Sequence, residues 1–94
     1  MFSPSECFPR WRVEPGTKLE FNATVVLYDM PNMRGSMICA SKCQLYDWCR
    51  SVYVHMTVHP TCYLTDTVLS EVLDQVTGGH TDWYYLEPFC AGNY

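Results

Sequence analysis

Six cysteines constrain this 94-residue chain more than any other feature: Cys7, Cys39, Cys43, Cys49, Cys62 and Cys90. An even count in so short a chain reads first as three disulfides. Zinc is the competing reading, because zinc sites favour closely spaced Cys pairs or Cys/His sets. Cys39-x3-Cys43 fits that pattern loosely, but no second matching pair follows, and Cys7 and Cys90 stand at opposite ends. Disulfides are therefore expected, with no metal and no cofactor. The length suits one domain, residues 1–94, with its core bracketed by Cys7 and Cys90. A chain of this size buries only about 60–65% of its unfolded surface, so covalent staples matter to its stability.

Hydrophobic residues make up 48% of the chain, which argues for collapse rather than disorder. The formal net charge of −4 disfavours a non-specific grip on nucleic acid, anionic membrane or a heparin-type polyanion. No apolar run approaches the roughly 18–20 residues that span a bilayer, so membrane insertion by this segment is not expected. Met1-Phe2-Ser3-Pro4 lacks the basic and apolar regions of a signal peptide, yet the cysteines ask for an oxidising compartment. The expectation is a segment of a longer secreted precursor, placed extracellularly or in the ectodomain of a membrane protein.

Periodicity divides the chain into elements. Cys7 to Glu14 reads as a strand ended by Pro15-Gly16, with a short strand at Lys18 to Phe21. Thr24 to Tyr28 is β-branched and apolar and reads as another. From about 33 to 45 the period becomes helical, and Cys39 and Cys43 fall one turn apart on one face. Arg50 to Val58 returns to alternation: Val52, Val54, Met56 and Val58 on one side, Ser51, Tyr53, His55 and Thr57 on the other. His59-Pro60-Thr61 turns the chain into Cys62 to Thr65, giving a hairpin. Between 67 and 77, Val68, Leu69, Val72, Leu73 and Val76 lie at helical spacing, which predicts a second short helix. An ordered loop is the alternative there. Asp82 to Leu86 reads as the last strand, with Pro88 and Cys90 closing the domain. The fold class is α+β: an antiparallel sheet of about five strands and one main helix.

Six cysteines allow fifteen pairings, and spacing alone does not choose among them. A Cys43–Cys49 link would fasten the helix end to the hairpin, Cys39 could reach Cys62, and Cys7 with Cys90 would tie the ends together. Three segments carry a resemblance: Cys39-Ala40-Ser41-Lys42-Cys43, Cys49-Arg50-Ser51-Val52-Tyr53-Val54 and Cys62-Tyr63-Leu64-Thr65. Together they resemble the signature of the plasminogen–apple–nematode (PAN/apple) family, and Trp83-Tyr84-Tyr85-Leu86 is similar to its last strand. The resemblance implies a curved antiparallel sheet of about five strands crossed by one helix. It implies Cys39–Cys62 and Cys43–Cys49 as inner pairs, and Cys7–Cys90 as the extra pair of apple-type members. It also implies a binding module of a mosaic adhesive, matrix or receptor-type protein, with protein or carbohydrate partners. Val52 and Val54 depart from the family, which often carries aromatics there.

No catalytic constellation stands out. The aspartates at 29, 47, 66, 74 and 82 fall in expected turns or caps, no nucleophile elbow or metalloprotease helix is present, and oxidised cysteines are not nucleophiles. The expected class is therefore a binding protein and not an enzyme. Its candidate binding residues are Tyr46, Trp48 and Arg50, on or beside the short 43–49 segment, with Tyr53 and His55 extending the patch along the strand. Aromatic and Arg side chains on a stapled loop make good anchors, because little entropy remains to be lost on binding. Alternatives are a lectin-like carbohydrate-binding module and a self-association module of an extracellular polymer. Asn22-Ala23-Thr24 is an N-glycosylation triplet, making Asn22 a candidate for modification.

Overall fold

The computed structural model describes residues 8–28, 37–58 and 60–91. Among these residues seven strands and one α-helix follow in chain order: β1 (Phe8–Pro15), β2 (Lys18–Leu19), β3 (Val25–Leu27), α1 (Met37–Cys43), β4 (Ser51–His55), β5 (Thr61–Thr65), β6 (Val76–Thr77) and β7 (Trp83–Ala91). Five of them form an antiparallel sheet in the order β1-β7-β4-β5-β3, and β2 pairs with β6 in a separate ribbon. The β4–β5 hairpin is the one expected from the alternation, in a register that sets Tyr53 opposite Tyr63 and Val54 opposite Cys62.

β7 runs further than expected. Gly16 N–H donates to Trp83 O at 2.7 Å, so odd-numbered β7 residues bond to β1 and even-numbered ones face β4. Pro88 faces β4 and has no N–H to give, and pairing with β4 ends after Leu86. Pairing with β1 needs nothing from Pro88 and continues to Ala91, leaving residues 87–91 with β1 as a two-stranded arm. The proline thus stops pairing on one side only.

The sheet is covered on both faces. On one, α1 lays Cys39, Ala40 and Cys43 over Val52, Val54, Cys62, Leu64 and Leu86, all buried. The helix, seven residues long among the described residues, is too short to persist by itself. It is held by the Cys39–Cys62 disulfide to β5 (Cα–Cα 5.7 Å) and by Cys43–Cys49 (Cα–Cα 5.4 Å) at its end. The third expected pair, Cys7–Cys90, involves Cys7, which lies outside the described residues, as do positions 33–36 of the expected helix.

The other face carries Tyr53, Trp83, Tyr85 and Leu19, with Phe21, Ala23, Tyr63, Leu69 and Val76 packed around them. Its cover includes residues 67–77, and here the expected second helix is corrected. The stretch forms two 3-10 turns, Leu69–Glu71 and Leu73–Gln75, followed by β6. The sequence repeats Val-Leu-x-x from 68 and from 72, and each valine leaves the helical region: Val68 (φ −113°, ψ 163°), Val72 (φ −133°, ψ 30°) and Val76 (φ −136°, ψ 158°). β-branched side chains are restricted at χ1 in a helix, so a valine every fourth residue divides one helix into separate turns. Glu71 secures the first turn by accepting the Val68 N–H at 3.2 Å. Upstream, buried Ser51 and Thr65 bond through their hydroxyls, and Thr65 also donates to Thr67 O at 3.1 Å, fixing the exit from β5.

Candidate partner-binding surface

The loop after α1 is built from consecutive tight turns. Tyr46 N–H donates to Cys43 O at 3.1 Å, Cys49 N–H donates to Tyr46 O at 3.2 Å, and the Cys43–Cys49 bond closes the same stretch. Backbone and sulfur together leave little freedom to lose on binding. On this frame Tyr46 is 39% exposed and its ring stands 5.1 Å from that of Trp48, tilted by 33°. Trp48 is half-buried against the helix-side core, so it supports Tyr46 from beneath. Leu45, 71% exposed, adds an apolar side chain that sequence reasoning missed. The signal was available: a Cys-x5-Cys link forces the chain to turn, which denies Leu45 a helix face to pack on.

The other candidates separate from this pair. Arg50 is exposed, and its Nη1 lies 3.1 Å from both carboxylate oxygens of Glu71, tying the loop to the first 3-10 turn. The Val68 N–H, followed by Arg50, holds the Glu71 carboxyl below the usual carboxylate range. Tyr53 does not reach the surface at all. It is fully buried, between Phe21 and Tyr85 at 5.9 and 4.8 Å, because the face read as outward is the floor of a second core. His55 is half-buried at the far end of β4, about 17 Å from Arg50 at the strand rise per residue. The sequence-expected patch is therefore two places joined by a strand whose centre is covered.

At that far end His55 stacks on Trp83 (4.5 Å, 9°) and its Nε2 lies 2.8 Å from Asp82 Oδ2. The Lys18 ammonium stands 5.9 Å from the Trp83 ring, and Asp82 O accepts the Met56 N–H at 2.8 Å. These contacts lock the β4 end to the turn before β7. The His55 bond, the largest influence, lowers the Asp82 carboxyl from its ordinary range. A carboxyl lowered in the folded state stabilises above its unfolded value, about pH 4, and that stabilisation is lost as pH falls through the folded one. Asp82→Asn is therefore expected to flatten part of the decline in Tm below about pH 4, with a constant offset from wild type above it. Thermal melts from pH 2 to 6 check this, and a variant declining as steeply as wild type would contradict it.

A half-open groove of about 190 Å³ lies between Arg12 and Glu14 of β1, Glu87 of β7, and Leu69 and Leu73 of the 3-10 turns. Arg12 there sits 6.0 Å from the Phe89 ring. Among the described residues no group of three or more His, Cys, Asp or Glu could hold a metal ion, and no helix is long and apolar enough to cross a membrane. No family model, curated protein or solved structure matches the chain.

Proposed function

We propose that this chain is an extracellular recognition module of the PAN/apple kind that binds a protein partner through the loop closed by Cys43–Cys49. The observation that carries the reading is the exposed Tyr46 ring, backed by Trp48 on a loop fixed by two backbone turns and a disulfide. Aromatic anchors of this sort dominate binding energy at protein interfaces, and a pre-ordered loop keeps the entropic cost of docking low. The two disulfides are compatible with an oxidising compartment, which supports the extracellular reading. The His55–Asp82 pair at the β4 end is read as structural, because both polar groups engage each other and the ring is stacked on Trp83.

The test is a binding survey with the chain immobilised in its oxidised form. Panels of secreted proteins, receptor ectodomains and glycans are passed over wild type and Tyr46→Ala. Saturable binding of a protein is expected, weakened tenfold or more by Tyr46→Ala, with the fold retained and Tm lowered only by the loss of the Tyr46–Trp48 ring contact. Equal affinity in the variant would move the site off this loop. Hits confined to glycans would replace the protein-binding reading with a lectin-like one.

A further inference from the structure

The two outer strands of the sheet are protected unequally. In β1 the odd-numbered residues turn their backbone groups away from β7, and two of these, Pro9 and Pro15, lack an N–H. Prolines placed so blunt an edge against pairing with another chain. The opposite edge, β3, reads Val25-Val26-Leu27, followed by Tyr28, which is 72% exposed. It pairs with β5 on one side, has no strand on its other side among the described residues, and contains no proline and no charge. An apolar edge of this kind templates association unless something covers it.

The segment that leads into β3 is the Asn22-Ala23-Thr24 triplet. Phe21 and Ala23 pack inward against the Tyr53 and Tyr85 core, while Asn22 and Thr24 are exposed. Both recognition side chains of the triplet therefore face solvent, on irregular backbone anchored by the Thr24 N–H to Leu64 O bond at 2.9 Å. We propose that Asn22 carries an N-linked glycan and that this glycan shields the β3 edge. The amide nitrogen of Asn22 attacks the anomeric carbon of a lipid-pyrophosphate-linked oligosaccharide. A new C–N bond forms, the sugar–pyrophosphate C–O bond breaks with its electron pair leaving on the lipid pyrophosphate, and the amide loses one proton. Asn22 precedes Val25 by three residues, about 10 Å of extended chain, well within the sweep of a branched oligosaccharide. Ala23 of the triplet packs on one face of the sheet and Trp48 on the other, which separates the triplet from the Tyr46–Trp48 loop. The inference shares with the proposed function only the passage through a secretory pathway.

The test supplies that passage, so its outcome is independent of whether the loop binds anything. The full chain is expressed behind a cleavable secretion signal in mammalian cells, and intact mass is measured before and after an enzyme that releases N-glycans. Wild type and Thr24→Ser are expected to carry one releasable glycan, and Asn22→Gln and Thr24→Ala none. In sedimentation, glycosylated wild type should remain monomeric at concentrations where Asn22→Gln self-associates. Adding Val26→Lys to Asn22→Gln should restore the monomer by placing a charge on the β3 edge. Secreted wild type at its unmodified mass overturns the site. An Asn22→Gln protein that stays monomeric throughout overturns the shielding role.

Discussion

Replacing Cys39 and Cys62 by alanine is expected to remove about 3–4 kcal/mol of stability, a large share of the total for a domain of this size. The two sulfurs lie at the centre of the helix-side core, both fully buried, and their bond closes a loop with a sequence separation of 23. In the chain-entropy model a closure of that length contributes roughly 3.4 kcal/mol, against a total of about 5–15 for a typical domain. The shorter Cys43–Cys49 closure contributes roughly 2.4 kcal/mol in the same model. Cys43→Ala/Cys49→Ala should therefore remain folded while loosening the loop that carries Tyr46. Urea unfolding under non-reducing conditions measures both. A Cys39→Ala/Cys62→Ala protein within about 1 kcal/mol of wild type would show that packing alone seats α1.

Two tyrosines in contact should respond to the same substitution with opposite signs. Tyr85 donates its hydroxyl proton to Glu87 Oε1 at 2.7 Å and accepts the Leu69 N–H at 2.7 Å. Tyr85→Phe breaks both bonds and deprives the Leu69 N–H of its partner, which should cost about 1–3 kcal/mol. The Tyr53 hydroxyl is equally buried but has no hydrogen-bond partner among the described residues. Tyr53→Phe removes a desolvated group that gains nothing in return, and should stabilise by about 1 kcal/mol. Burial, with Glu87 second, pushes the Tyr53 hydroxyl up to about 12, and burial raises Tyr85 from its ordinary value as well. Groups raised in the folded state stabilise fully below their unfolded value, near pH 10, and lose that contribution as pH climbs through the folded one. Wild type should thus weaken above about pH 10, and each Phe variant should weaken less steeply there. Chemical unfolding at pH 7 and pH 11 separates the two effects. A Tyr53→Phe protein less stable than wild type would contradict the reading of that hydroxyl.

The main β elements and the helical face bearing Cys39 and Cys43 were legible because their signals are local. Period-two alternation from Ser51 to His55 and a Cys-x3-Cys step at one helical turn do not depend on what covers them. What failed depended on tertiary cover. Tyr53 and Ser51 carry hydroxyls, so alternation assigns them to a wet face. Residues 19–23 and the 67–77 segment, folding across the sheet, make that face a core, and no local pattern announces such cover. The same segment misled in a second way. Its hydrophobic spacing is helical, but its valines at 68, 72 and 76 hold extended or irregular backbone, and Leu73, part of that spacing, is 65% exposed. Pro88 shows that the direction of a missing N–H matters as much as its presence, a direction set by strand register and invisible in the residue type. The candidate loop was found through Cys43 and Cys49 and their enclosed aromatics. His55 was correctly placed on the strand, but its separation from that loop follows from strand length and the burial between them.

Digestion of the unreduced protein with trypsin puts the whole arrangement to the most direct test, because Lys42 and Arg50 divide the cysteines. The helix pinned to β5 and the loop closed on itself require residues 43–50 to emerge as a separate peptide, two hydrogens lighter than its reduced form. Residues 35–42 must emerge attached to the C-terminal peptide through Cys62. Residues 35–42 linked instead to residues 43–50, or free thiols at any of these four cysteines in the native protein, would contradict it.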